Sequence, residues 1–466
     1  MTFVRTISHG LAVISLLGLA AGAHAAPIEL KDQNGTKYFI NTDVEPLLQR
    51  SEASGALTDA TYVQPVTVTS YFVGLTPFGL FLTTYTVQRQ INVPLTNAFA
   101  GFNGLLISGL GGTALPSPLV FNPGQALASQ DCMQNNVNRE LVFQTHTFPV
   151  ANLQVTRKVF VPDNSDFVRW LNIVTNTETT ARQVGITLQG LLGSGSDTKI
   201  GATSSGDSTI TSQDLWFTSG QKVPQGEHST QPTVAFVVQG AGAPAPAVSE
   251  GINSAGQAIA TYTPTIPGGG SVIIMTLTTV QGNFKQAKNT AENLVGLPSD
   301  TIKCMSEQEL AQVVNFAPIT PPKTKNATIT LKFNKTGQDT IQWKGKITIA
   351  AGISLQGLPV SVDVGGATDN FLLNKSGKAN DGGGNKFALN ASLKNGVTKA
   401  GTVNFSFNLK GAFQGLMAPY GLTNATVKNV PVTVPVRFTA GPGTYATDQA
   451  FTYKATQGKT GTAKSS

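Results

Sequence analysis

The chain reads as an all-β protein: a large N-terminal β-sandwich closed by two short helices, followed by a C-terminal Ig-like β-sandwich. Three observations predict this. Charged residues make up only 12% of the 466 residues, so polarity comes mainly from Thr, Ser, Asn, Gln and Gly, a balance that favours strands joined by turns. Strand-like runs recur at roughly 8–15 residue spacing with Gly/Asn/Ser-rich turns between them, the rhythm of a sandwich. Helical periodicity is confined to one short region near residue 290.

Taken in order, residues 1–25 come first. Arg5 precedes a compact apolar run at 11–20, and Ala23-His24-Ala25 forms a small-residue cleavage site ahead of Ala26 and Pro27. This is the pattern of a secretory signal peptide, and the run is too short to anchor a chain in a bilayer. Its removal takes His9 and His24 away and leaves His146 and His228. The expected location is the periplasm or the extracellular space. No later apolar stretch approaches the roughly 18 residues of a membrane helix, so no second membrane span is expected. In an oxidising compartment, Cys132 and Cys304 are expected to form a disulfide.

Residues 26–316 are expected to form the large sandwich. Near-continuous apolar strands are predicted at 153–161, 168–174, 184–191 and 272–277. A helix is predicted over 283–295, where Phe284, Ala287, Ala291 and Leu294 share a face. Ser306 and Glu309 have capping-box spacing ahead of Leu310, Val313 and Val314. Residues 317–325 carry Pro318, Pro321 and Pro322 and read as a stiff linker. Residues 326–457 hold about eight short strand patterns, consistent with a compact sandwich domain. Asn395-Gly396 is the strongest hairpin signal in the chain. Residues 458–466, small and polar, read as a flexible tail.

Charge divides unevenly between these parts. Residues 26–320 carry 14 Lys and Arg against 20 Asp and Glu; residues 321–466 carry 17 against 5, and 16 of those 17 cations are Lys. Such asymmetry suggests an anionic partner, such as an acidic polysaccharide or a cell-envelope component. Nucleic acid is disfavoured, because Arg, the usual reader of phosphate and guanine, is nearly absent from this part. A solvated surface explains the same lysines, which read as scattered among turns.

The search for chemistry excludes most familiar enzyme classes. His146 and His228 sit in no metal-ligand pattern, and no nucleophile elbow, P-loop or dinucleotide fingerprint is present. No catalytic residue and no organic cofactor are assigned. Among the carboxylates, Asp197 and Asp207 bracket a short segment and are candidate ligands for a structural Ca²⁺, although Asx turns also explain them. Trp216 and Asp214 are the candidate carbohydrate-binding residues, since exposed aromatics serve as sugar platforms. Trp170 and Trp343 fall inside strand patterns and are expected in the core.

Two stretches carry a resemblance. Arg157-Lys-Val-Phe-Val-Pro162, Phe167-Val-Arg-Trp-Leu-Asn-Ile-Val-Thr-Asn176, Gly193-Ser-Gly-Ser-Asp197 and Ser204-Ser-Gly-Asp207 resemble the large supersandwich-like domain of secreted bacterial proteins. The stretch from Leu331-Lys-Phe333 to Thr433-Val-Pro-Val436 resembles a bacterial Ig-like β module. The resemblance implies a bacterial extracellular or envelope protein and brings no characterised activity. The expected function is non-enzymatic: surface binding, or a structural or accessory role, with anionic glycans bound through the Lys-rich C-terminal part. The alternative is a carbohydrate-active or carbohydrate-binding large sandwich using Asp197, Asp207, Asp214 and Trp216.

Overall fold

The strand Val168–Asn176 occupies the middle of the N-terminal architecture, with both of its faces largely buried. The computed structural model describes residues 27–42, 56–75, 82–109, 119–121, 126–223, 229–441 and 443–465; the expected signal peptide at 1–25 and His228 lie outside the described residues. Val168–Asn176 pairs antiparallel with Leu153–Phe160 on one side and with Ser271–Gln281 on the other. Those three strands centre a nine-stranded sheet that runs from Thr198–Thr203 at one edge to Leu127–Gln134 at the other. A six-stranded sheet built around Arg182–Leu191 completes the sandwich. Trp170, Val174 and Ile274 meet Phe102, Ile107 and Ile186 in the core between the sheets. The ring of Phe102 lies 5.6 Å from Trp170 and 5.1 Å from Phe236.

The opposite face of the nine-stranded sheet is also covered. Leu171, Ile273, Met275 and Leu277 pack against α1 (Phe284–Val295) and α2 (Glu307–Gln312) through Ala287, Ala291, Leu294 and Leu310. A strand buried on both sides reads as a continuous apolar run rather than an alternation, and Ser271–Gln281 is buried from Val272 to its end. Both helices start where their caps stand. The Asn283 side chain accepts from the Gln286 N–H, and Ser306 with Glu309 forms the reciprocal capping box, each worth about 1 kcal/mol. Gly201 and Gly220 let α1 approach closely, since a Cβ at Gly201 would enter the Phe284 ring.

Ten C-terminal strands form one antiparallel path, Ile319–Thr320 joins it as an eleventh through a short parallel pairing, and a two-stranded hairpin stands apart. The path bends over so that distant strands face one another across a single core. Phe371 of Ala367–Leu372 lies 5.9 Å from Phe387 of Lys386–Asn390, and Phe405 lies 4.7 Å from Phe438. Asp339–Ile349 shows the one-sided burial of a sheet with one wet face, as inward Trp343 (1% exposed) alternates with exposed Gln342 and Lys344. Asn395 and Gly396, both with positive φ, turn the two-residue hairpin between Leu393–Lys394 and Val397–Thr398.

Two expectations for this region need correction. The proline-rich stretch 317–325 is largely strand. Ile319–Thr320 pairs in parallel with Thr444 and Tyr445, and Lys323 already belongs to Lys323–Lys332. The expected flexible tail is mostly a sheet strand as well: Thr460–Ser465 lies between Lys323–Lys332 and Gly443–Ala455 and pairs with both.

The segment from Ser299 to Cys304 fastens the two halves together. Ser299 donates to Asp363 from its amide and its hydroxyl, at 2.8 and 3.0 Å. Asp300 accepts from the Tyr420 hydroxyl and the Asn164 amide. Lys303 donates to the Thr433 carbonyl at 2.9 Å, and the Cys304 N–H donates to Asp448 at 2.6 Å. The disulfide Cys132–Cys304 ties the same segment to the edge of the nine-stranded sheet.

Candidate functional site

Of the residues expected to act together in the large sandwich, Asp207, Asp214 and Trp216 share the loop from Thr203 to Trp216, and Asp197 stands apart from them. Asp197 ends a 3-10 turn just before Thr198–Thr203, and Asp207 folds back beyond the far end of that strand. Six extended residues separate the two by about 20 Å, so they do not share a cation. Among the described residues no group of three or more His, Cys, Asp or Glu is placed to hold a metal ion. Asp207 instead closes a local turn, accepting from Thr203 and Thr209. The expected sugar platform is also absent at Trp216, which is 4% exposed and packs in the apolar layer beneath the helices.

Asp214 is fully buried and structural. It accepts from Ser204, from the Ser205 N–H and from both the amide and hydroxyl of Thr211. Burial opposes its charge, but these bonds outweigh that effect and hold its carboxyl below the usual range. Nearby Glu250 behaves in the opposite way. One of its oxygens accepts from Gln239 at 3.1 Å, while burial and the Asp214 charge push it up to about 8.

That contrast gives a stability prediction. Folded Glu250 holds its proton far more tightly than the ordinary glutamate of the unfolded chain, so its favourable contribution is present at low pH. The contribution is lost as pH rises from about 4.5 through about 8. Asp32, pushed up to about 7 by burial and by Asp166, acts in the same direction. Glu250→Gln is expected to raise the urea midpoint at pH 8.5 by an amount equivalent to a few kcal/mol, on the order of 4, and to leave it nearly unchanged at pH 4. Equal effects at both pH values would contradict this account.

The lysines of the C-terminal half form a different kind of surface. Twelve of its sixteen Lys lie in strands rather than in turns, which corrects the expectation of scattered turn positions. Register then sets them in rows across neighbouring strands. Lys344 stands opposite Ser406, Ser406 opposite Ala388, and Ala388 opposite Lys378. The adjacent row runs Lys464, Thr328, Gln342, Asn408, Lys386 and Asn380. Rows lie about 6.7 Å apart and neighbouring strands about 4.8 Å, so Lys464 and Lys386 stand about 19 Å apart along one row.

Carboxylates are nearly missing from this outer face; the exposed Asp381 stands at its margin, in the turn between Lys378–Asn380 and Lys386–Asn390. The six strands carrying the rows contain only the carboxylate Asp339, and the neighbouring strand Gly443–Ala455 adds Asp448. Asp339 is fully buried and accepts from the Lys332 and Phe413 amides, while Asp448 is turned toward Lys303 and Cys304. Within the face lies a groove of about 690 Å³, lined by Lys344, Lys378 and Lys386 together with the amides Gln342, Asn380 and Asn408. One buried polar atom of its lining, the Asn408 Oδ1, has no hydrogen-bond partner.

No protein-family model matches the chain, and no curated protein matches it. Solved structures do. The chain is similar to a polysaccharide lyase at 6% identity and a TM-score of 0.28, covering 75% of this chain and 39% of that one. It is also similar to a galactose mutarotase-like protein from Lactobacillus casei at 9% identity and a TM-score of 0.30, covering 55% of this chain and all of that one.

The sequence missed the cationic groove for a physical reason. Lys344 and Lys378 are separated by 33 intervening residues, and only the strand register makes them neighbours. The available signal was the polar alternation Gln342, Lys344, Lys346 along one strand.

Proposed function

We propose that this is an exported, non-enzymatic binding protein whose C-terminal sandwich holds an anionic polysaccharide against its lysine-bearing outer face. The observation that carries the reading is the groove of about 690 Å³ lined by three lysines and by side-chain amides, with no carboxylate in its lining. Ammonium groups match the carboxylates or sulfates of such a polymer, and Asn and Gln match its hydroxyls. The aromatic rings Trp343, Phe387 and Phe407 face inward, so recognition relies on charge and hydrogen bonds rather than ring stacking. Binding of that kind weakens as salt rises.

In this reading the signal peptide delivers the chain to the periplasm or beyond, and the large sandwich is a structural partner of the binding half. The carbohydrate-active alternative loses the constellation it was built on, because Asp197 lies at the far end of Thr198–Thr203 from the other three, and of those Asp214 and Trp216 are buried. A glycan array probed with the full chain from Ala26 tests the proposal. Binding confined to acidic glycans, lost between low and moderate salt, is expected. Salt-resistant binding of neutral glycans would overturn it.

A further inference from the structure

The hairpin formed by Leu57–Leu75 and Leu82–Leu95 extends well beyond the sheet that starts it. Ile28–Lys31 and Lys37–Ile40 continue that sheet, but pairing with Lys37–Ile40 involves only Leu57 to Thr61. From Tyr62↔Leu95 to Leu75↔Leu82 the two strands pair with each other through fourteen consecutive positions, and among the described residues no third strand joins them. A two-stranded ribbon is marginal by itself in water, so a ribbon of this length calls for a partner.

Its sequence indicates which partner. No charged residue occurs between Asp59 and Arg89. Register places Val66, Val68, Phe72, Tyr85, Val87 and Ile91 on one face, with Ser70, Gly74 and Thr83 filling most of the rest. Thr67, Thr69, Thr84, Thr86, Gln88 and Gln90 share the other face, which turns apolar only at Tyr71, Val73 and the last pair, Leu75↔Leu82. Over ten residues per strand, six of ten positions on the first face are apolar or aromatic against four of ten on the second, an alternation compatible with a membrane-crossing β-hairpin. Ten extended residues span about 33 Å, or about 24 Å of depth at a 45° tilt, against an apolar band of about 25 Å. Arg89 falls near the base of the ribbon, where a cation on the lipid-facing side costs little. That no helix of the described residues can cross a membrane does not bear on strands.

We infer that strands 66–75 and 82–91 form a bilayer-inserting hairpin, with Val66, Val68, Phe72, Tyr85, Val87 and Ile91 toward lipid and the Thr/Gln face toward water. The outer edges of the ribbon cannot stay unpaired in hydrocarbon, so insertion requires several copies of the chain to close their hairpins into a barrel. This reading is independent of polysaccharide binding.

Dye release from phosphatidylcholine vesicles tests it, the neutral lipid removing any contribution from the lysine face. The full chain from Ala26 is compared with Phe72→Lys on the apolar face and Thr84→Lys at similar depth on the polar face. Release by the parent and by Thr84→Lys is expected, with roughly tenfold or greater loss in Phe72→Lys. Thermal unfolding of the sandwich core, followed by tryptophan fluorescence, should be the same in all three. No release by the parent, or equal release by both variants, would overturn the inference. So would a lipid-free dimer that Phe72→Lys dissociates, because a second copy would then cover the apolar face.

Discussion

Replacing Cys132 and Cys304 together with serine is expected to lower the stability of the chain by about 4–5 kcal/mol. The disulfide joins residues 172 apart, and in the chain-entropy account a loop of that size restricts the unfolded state by about 5 kcal/mol. The bond also sits at a junction. Cys304 adjoins Lys303, which reaches the Thr433 carbonyl, and its own N–H donates to Asp448. Losing the bond therefore loosens the attachment between the two halves as well as the fold of each. Guanidinium unfolding of the variant should show the drop, and the parent in strong reductant should reproduce it. A change below about 1 kcal/mol would mean that the buried polar contacts of residues 299–304 hold the segment unaided.

Arg169→Met is expected to cost about 3–5 kcal/mol. Arg169 is fully buried. It donates to the Thr301 and Lys303 carbonyls at 2.7 and 2.8 Å and to Glu140 at 2.7 Å, and it lies over the Phe160 ring at 4.6 Å. Its removal leaves Glu140, 2% exposed, with only the longer 3.4 Å contact to Lys158. Burial already pushes Glu140 upward against the pull of Arg169 and Lys158. Breaking one side of a buried pair is far costlier than removing both sides. The double variant Arg169→Met with Glu140→Leu should therefore recover much of the loss in chemical denaturation. A double variant no better than the single would show that the two carbonyl bonds, not the ion pair, carry the effect. Arg169→Lys is expected to fail as a substitute, because an ammonium group cannot match the fork that reaches both carbonyls and Glu140.

Much of the fold was legible because local rules and burial agreed. The capping box of Ser306 and Glu309 acts within one turn and appears as expected, and the helix expected over 283–295 starts at an Asn283 cap. Trp170 and Trp343, set within strand patterns, are core residues. The tail misled because its small residues read as flexibility. Gly461 is small for a packing reason: a Cβ there would strike the Tyr453 ring, and Ala463 beside it is fully buried. Thr460–Ser465 is a strand because its neighbours pair with it, which is long-range information. Trp216 misled in the same way. Its local sequence left a sugar platform open, but the helices close over the far side of its sheet. The candidate site was less legible than the fold. The charge split announced a cationic surface, but its geometry depends on register across strands far apart in sequence.

The most direct test of the proposed function is a titration of the full chain with polygalacturonate or heparin over a range of salt, alongside the triple variant Lys344→Gln, Lys378→Gln and Lys386→Gln. These lysines are exposed, and the substitutions should leave the unfolding midpoint essentially unchanged. At about half a kcal/mol for each exposed charge contact, the account predicts roughly tenfold weaker binding at low salt and a shallower salt dependence. Unchanged affinity and an unchanged salt dependence in the triple variant would contradict it, and would move any polyanion site off this face.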